Sequence, residues 1–451
     1  MRKSIADQCS LVIPAAAHAH VHELLAMKAV LDAHPETARW VHEDLTRHLR
    51  KPGAGREGLS AYLILRALVL KQMLQLSYDK LAFTLQDSTA YRAFCGLGIA
   101  DGDPKSSALQ RGIKLLRAET LERVQWVLVE HAREAGIENG RTVRFDCTVT
   151  ESNILEPQDS GLLWDGVRVL TRLMHRVDEH CETSFRDRTR VSKKRALAIL
   201  NAKSSKDRNK LYRELMDHTR AVVTCAEARV AWLKANPVAD IIEHYKVASV
   251  ILELEHFIPL VSRVIVQTGR RILLGETVPA TDKLVSIFEP HTDIIVKDRR
   301  ETHYGHKLAI ATGTSGLVLD CQILSGNPAD STLAIELVER QRDIFDAVPR
   351  QVAFDGGFAA KANLEAIKAL GVSDVMFNKK RGLEVPDMVK SSWVYKQLSK
   401  FRAGIEAGIS WLKRVFGLRR CNWSSFDSFK AYTWASVVST NLLIIARATL
   451  Q

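Results

Sequence analysis

The chain has 451 residues, with 64 Lys and Arg against 52 Asp and Glu, a formal net charge of +12. Hydrophobic residues make up 46% and charged residues 26%, which excludes global disorder and a fibrous repeat. The length suits two or three domains, and the positive excess favours a polyanionic partner, nucleic acid before an anionic membrane surface.

At the N-terminus, Met1-Arg2-Lys3 ahead of Leu11-Val12-Ile13-Pro14-Ala15 imitates a signal peptide. Asp7, Gln8 and Pro14 interrupt its apolar run, so a cytoplasmic chain is expected instead. Residues 20–50 have helical spacing and end in the loop Lys51-Pro52-Gly53-Ala54-Gly55. A strongly apolar helix over 59–76 follows, then shorter pieces at 78–85 and 88–94. Ser106-Ser107 is expected to cap a further helix to Leu116, continued by 119–135. Residues 1–135 therefore read as an all-helical N-terminal domain. Its short helices and tight turns suit a helix-turn-helix that contacts DNA, with a plain helical bundle as the alternative.

The pattern then changes. Thr142 to Val149 is β-branched and alternating, hence a strand, and 136–157 opens an α/β core. Residues 158–262 return to helix. In the remainder, 263–451, Tyr304–Ala311 and Leu317–Leu324 read as a hairpin closed by Gly313–Gly316. Asp330-Ser331 is expected to cap a helix through Arg342. Gln351–Phe354 and Val375–Phe377 read as buried strands around a helix at 360–369, and 397–450 reads as helical. The fold class expected is mixed α/β: a core interrupted by one helical insertion after its first strand. Trp434–Ala446 is apolar but carries Ser436, Ser439, Thr440 and Asn441, so it reads as a buried helix and no membrane is expected. The seven cysteines form no CxxC pair, which favours reduced thiols over a zinc or redox motif.

Three acids stand out by context. Asp146 lies within or at the end of the first strand. Asp355 ends a later strand and precedes Gly356-Gly357, glycines that would let a backbone or phosphate approach closely. Glu406 lies in Arg402-x3-Glu406-x6-Lys413, whose three charged residues fall at about 0°, 40° and 20° around a helix and so share a face. Ile405, Leu412 and Phe416 lie on the adjacent side and would anchor that helix. A carboxylate between two cations suits a hard divalent ion and phosphate oxygens together. The alternatives are turn-forming aspartates and a plain surface pair of Arg402 with Glu406. Glu365 and Glu384 are rival third acids. His303 and His306 fall on opposite faces of a strand and cannot easily share an ion.

Phe145-Asp146-Cys147-Thr148, Phe354-Asp355-Gly356-Gly357-Phe358 and Arg402-x3-Glu406-x6-Lys413 together resemble the Asp-Asp-Glu signature of bacterial insertion-sequence transposases of the DDE superfamily, closest to the ISNCY-like group. Tyr304-Gly305-His306-Lys307 and Gly326-Asn327-Pro328-Ala329-Asp330 are similar to that family's middle strands and loop. One departure is Ser399, where the family often has a Tyr. The resemblance implies a ribonuclease-H-like core. It implies Asp146, Asp355 and Glu406 as catalytic metal ligands for two Mg²⁺ ions, with Mn²⁺ able to substitute, and Arg402 and Lys413 as phosphate contacts. It implies cleavage of double-stranded DNA at terminal inverted repeats, strand transfer into target DNA, assembly as a homodimer or higher, and a nucleoid-associated place in a bacterial cytoplasm. The rival functions are a metal-dependent nuclease without joining and a non-catalytic DNA-binding regulator.

The charge is uneven. Between Arg186 and Arg213 eleven cations, among them Arg186, Arg188, Arg190, Lys193, Lys194 and Arg195, face only Asp187 and Asp207, a local excess of nine. Residues 397–420 carry an excess of five, and the rest of the chain is slightly negative. The first run is expected to track DNA phosphates without reading bases. Helices near 161–177 and 212–257 are expected to flank it as an antiparallel arm.

Overall fold

The computed structural model describes residues 18–49, 58–98, 100–182, 184–297, 301–378 and 382–451. The signal-peptide-like stretch and the 51–55 loop lie outside the described residues. The chain divides into two compact units, Met1–Ser152 with His306–Gln451, and Asn153–Gly305.

Among the described residues the first unit begins with seven helices: α1 (Ala19–Ala33), α2 (Pro35–Thr46), α3 (Ala61–Met73), α4 (Tyr78–Asp87), α5 (Thr89–Phe94), α6 (Ser106–Lys114) and α7 (Ala118–Glu134). The helical spacing over 20–50 is realised as two helices, because Pro35 forces His34 out of the helical region, to φ −122° and ψ 69°. Ser106 is the first residue of α6 rather than its cap, which is Lys105. α7 is a separate helix. At its start the fully buried Asp44 carboxylate accepts from the Arg117 backbone N–H at 2.9 Å and from its Nε at 2.5 Å.

Next come β1 (Thr142–Glu151), and later β3 (Glu301–Thr312), β4 (Val318–Ile323), α12 (Ala334–Phe345), β5 (Gln351–Phe354), α13 (Lys361–Ala369), β6 (Asp374–Phe377), α14 (Val385–Met388), α15 (Ser392–Val415) and α16 (Phe426–Thr449). The fold is mixed α/β. Within this unit the strands run in the order β4-β3-β1-β5-β6, with β3–β4 antiparallel and β1–β5 and β5–β6 parallel. The expected hairpin is therefore present. The turn between its strands is tied by Glu138, buried at the start of the core, whose Oε2 accepts from the Ser315 backbone N–H at 2.9 Å and from its hydroxyl at 2.7 Å. Asp330 does not cap α12. It begins a short turn, and the position before α12 is Leu333, without a side-chain cap.

Two helices are buried along nearly their whole length, α3 and α16. The polar residues of α16 survive burial because their hydroxyls bond back onto the helix: Ser436 to the Tyr432 carbonyl at 3.0 Å, Ser439 to Ala435 at 2.7 Å and Thr440 to Ser436 at 2.8 Å. Asn441 pins β4, accepting from the Val318 N–H at 2.9 Å and donating to its carbonyl at 2.7 Å. Among the described residues no helix is long and apolar enough to cross a membrane.

The second unit holds α8 (Asp159–His175), α9 (Thr189–Asn201), α10 (Ser205–Ala235) and α11 (Ile241–Thr268), around a core that includes Leu163, Leu170, Leu215, Leu254 and Val261. The expected helix over 212–257 is α10 and α11, parted at Asn236-Pro237. A strand not expected from the sequence, β2 (Asp293–Lys297), pairs antiparallel with the first five residues of β3. Its apolar run of three residues is too short to mark a strand by pattern alone.

Candidate active site

Parallel pairing sets Phe145 on β1 opposite Phe354 on β5, and Phe354 opposite Phe377 on β6. The rings stack into a ladder, with centroids 4.7 Å and 5.5 Å apart. Residues in register on parallel strands share a face. The next residues along, Asp146 and Asp355, therefore leave the pleat together on the opposite face. The same aromatic burial that fixes the register fixes the spacing of the two acids.

The third acid is delivered by α15, which lies against β1, β5 and β6. This helix starts where the Ser391 hydroxyl accepts from the Val394 N–H at 3.3 Å, and it stops at Gly417, whose φ of +76° suits a glycine after a helix end. Ile405, Leu412 and Phe416 are buried beneath it. Arg144, on the same face of β1 as Asp146, ties α15 to the sheet. Its Nη1 donates to the Phe401 carbonyl at 2.6 Å, its Nε donates to the Thr312 hydroxyl at 2.8 Å, and its guanidinium lies over the Phe401 ring. Burial lowers the Arg144 pKa from its usual value. A Cβ at Gly404 would stand only 2.5 Å from Arg144 Nη1, so this glycine is what admits the arginine under the helix.

Arg402 is the centre of the arrangement. Its Nη2 lies 3.2 Å from Asp146 Oδ2 and 3.4 Å from Asp355 Oδ1, and its Nη1 lies 2.8 Å from Glu406 Oε1. Two oxygens that both lie within 3.4 Å of one nitrogen can be no further apart than twice that distance. The three acids thus converge on one guanidinium, and Arg402 and Glu406 are not a plain surface pair: Arg402 is 7% exposed. Glu406 is the outermost of the three, with two-thirds of its side chain in solvent, while Asp146 is mostly enclosed. Asp146 Oδ1 accepts the Cys147 N–H at 2.8 Å. Lys413 is half-buried on the same helix.

A second ion pair lies beside Cys147, the residue after Asp146. Lys307 Nζ lies 2.6 Å from Asp330 Oδ1 and donates to the Pro328 carbonyl at 2.6 Å. Burial raises the Cys147 thiol pKa well above its usual value, and the Asp330 charge adds to the rise, so Cys147 stays protonated. Of the two glycines after Asp355, Gly357 has a side chain close by. A Cβ at Gly357 would stand 2.7 Å from Asp330 Oδ2, so that position is kept clear for Asp330. The pairing of Lys307 with Asp330 was not legible from the sequence, although both sit in motifs that stood out. Arg144 carried no signal beyond its position two residues before Asp146.

The rival acids are elsewhere. Glu365 is exposed on α13, 3.9 Å from Lys361. Glu384 is exposed at the N-terminus of the four-residue α14. His306 is buried against the Phe426 and Phe429 rings, and His303 lies 3.6 Å from Glu301. In the second unit Arg186, Arg190, Lys193 and Lys194 are exposed on or just before α9. Arg188 and Arg195 are half-buried: Arg188 lies 3.4 Å from the His218 ring, and Arg195 pairs with Glu214 at 2.5 Å. Among the described residues no three acids, histidines or cysteines stand close enough to hold an ion by themselves. The three acids of the site are spaced around a guanidinium instead.

Two strand-borne aspartates and a helix-borne Arg–Glu pair, meeting over one face of a mixed sheet, define an α/β protein with an acidic triad held by an internal cation. Residues 284–442 match the Transposase DDE domain family, and residues 16–114 match the Transposase domain (DUF772) family. The chain belongs to the insertion-sequence transposases of the DDE family, and so is an enzyme that acts on DNA and depends on a divalent metal. No curated protein and no solved structure matches it. The DDE match includes Asp355, Arg402, Glu406 and Lys413. Asp146 lies in the stretch that neither family covers, together with most of the second unit.

Proposed function

We propose that Asp146, Asp355 and Glu406 are the metal-binding catalytic acids, and that the enzyme cuts DNA at the ends of its element and joins those ends to target DNA. The observation that carries this reading is the convergence of all three acids on Arg402. The donor set fits the metal: every donor is a hard carboxylate oxygen, the kind Mg²⁺ prefers and Mn²⁺ accepts. The acids also already surround a cation. Bound divalent metal would stabilise the charge that develops on the attacking and leaving oxygens of phosphodiester displacement.

The residues of the chain do the rest. Asp146, the most enclosed acid, would hold the metal together with Asp355 and Glu406. Lys413 and a displaced Arg402 would hold phosphate oxygens. Hydrolysis of the end phosphodiester releases a 3′-OH. Attack of that 3′-OH on a target phosphodiester forms the new strand and expels a target 3′-OH, so bonds balance without an energy source. The strand order β4-β3-β1-β5-β6, with its one antiparallel hairpin and its parallel trio, supports a ribonuclease-H-like reading of the core. The helical region of 1–135 would contact DNA, the cations of 186–213 would track phosphates, and the assembly on DNA would be a dimer or higher.

The test uses a duplex carrying the element's own terminal repeat. Asp146→Asn, Asp355→Asn and Glu406→Gln should each abolish Mg²⁺-dependent cleavage while retaining DNA binding in a gel-shift assay. Unchanged cleavage in these variants would remove the catalytic assignment. Cleavage by the wild-type chain without joining would leave a nuclease.

A further inference from the structure

Among the described residues, Arg66 is as buried as Arg402 and pairs with the single carboxylate of Asp32, while the similarly buried Arg92 and Arg229 are fastened to backbone. Arg92 donates to the Leu85, Gly98 and Asp101 carbonyls at 3.2, 2.9 and 2.8 Å, besides meeting Asp103. Arg229 donates to the Met174 carbonyl at 2.8 Å, besides pairing with Asp178. Such carbonyls cannot leave, so these guanidiniums are structural. Arg402 is bound differently. Its η nitrogens meet three side-chain carboxylates, and its buried Nε has no hydrogen-bond partner. The group is held by ion pairs and hydrogen bonds to side-chain carboxylates, and those partners are the proposed metal ligands.

We propose that Arg402 is a built-in counter-cation: with no DNA bound, its guanidinium occupies the position between Asp146, Asp355 and Glu406 and competes with the divalent ion for them. The inference rests on the metal-site reading given above. Two consequences follow from charge. A monovalent guanidinium among three carboxylates leaves the cluster net negative, so it attracts a divalent ion, but the ion must displace the guanidinium or bear its repulsion. A DNA phosphate gives the guanidinium another bidentate partner of the same sign as the carboxylates, so substrate draws it off and frees the ligands. Metal loading is thereby tied to the presence of substrate, and the acids are not left unpaired in the resting enzyme.

The test is binding of Mn²⁺ alone to the full chain without DNA, read as loss of the free-ion electron paramagnetic resonance signal. Circular dichroism first checks that each variant is folded. Arg402→Gln should bind Mn²⁺ at least tenfold more tightly than wild type, which is about 1.4 kcal/mol. Arg402→Met, which keeps the buried aliphatic stem, is the second neutral variant and should show the same gain. Arg402→Lys keeps the charge and should stay within about threefold of wild type, a readout that a merely structural role would not produce. Adding Asp146→Asn to Arg402→Gln should erase the gain. Unchanged or weaker binding in the neutral variants overturns the proposal, as does an equal gain in Arg402→Lys or a gain that survives Asp146→Asn. If the neutral variants show no gain while Asp146→Asn alone weakens wild-type binding, the counter-cation falls and the metal site stands. If Asp146→Asn alone changes nothing, both fall.

Discussion

The acidic cluster and the basic run of 186–213 handle charge in opposite ways. Around Arg402 each acid has a defined partner within 3.4 Å, and the cation is almost wholly buried. On α9 the cations Arg190, Lys193 and Lys194 point into solvent, and the two with partners, Arg188 and Arg195, are the half-buried ones. Burial strengthens electrostatics and demands pairing, so the first region holds its charges at fixed geometry. Exposed cations are screened within about 10 Å at moderate salt, so the second can attract a polyanion but not position a reacting atom.

The comparison can be broken most decisively at the acids. Asp355→Asn removes one charge from the cluster without changing its shape, and should lower single-turnover cleavage by roughly 10³-fold or more, with DNA affinity little changed. The opposite pattern is expected from the basic run. Changing Arg190, Lys193 and Lys194 together to Gln should weaken DNA binding and reduce the slope of log affinity against log salt by up to about 3, at roughly 0.9 for each phosphate no longer neutralised. Cleavage at saturating DNA should persist. A slope that does not move would show that these cations face solvent rather than DNA.

Two smaller effects concern stability. Gly404→Val pushes a side chain into Arg144 and should cost about 1–3 kcal/mol in urea unfolding, with cleavage falling as α15 shifts. Arg195→Gln breaks a pair whose partners are each about a third exposed, and should cost under about 1 kcal/mol by the same measurement. If these two costs were reversed, the contrast between an organised site and a solvated arm would fail.

Much of the site was legible in the sequence. The face shared by Arg402 and Glu406, the buried flank of Ile405, Leu412 and Phe416, and the strand positions of Asp146 and Asp355 all follow from periods of 3.6 and 2 read along the chain. The hairpin around Gly313–Gly316 was legible for the same reason. The misreadings have local causes. Pro35 splits a helix whose apolar spacing runs on through it, Asp330 prefers Lys307 to a capping role, and β2 is too short to show a period. Each turns on a partner distant in sequence or on one residue overriding a pattern.

Composition and spacing alone determined that the chain is mixed α/β, that its positive charge is concentrated in two segments, and that three acids in order on strand, strand and helix are the residues to test. Only the tertiary structure decided that these acids meet. It set Phe145 beside Phe354, and so Asp146 beside Asp355, across more than two hundred residues of chain. It also decided that Arg402 lies inside the cluster rather than on the surface. Periodicity reports which face a side chain takes on its own element. Which charges then share one nitrogen depends on register and burial between elements, where desolvation makes a buried cation take acids or other polar partners.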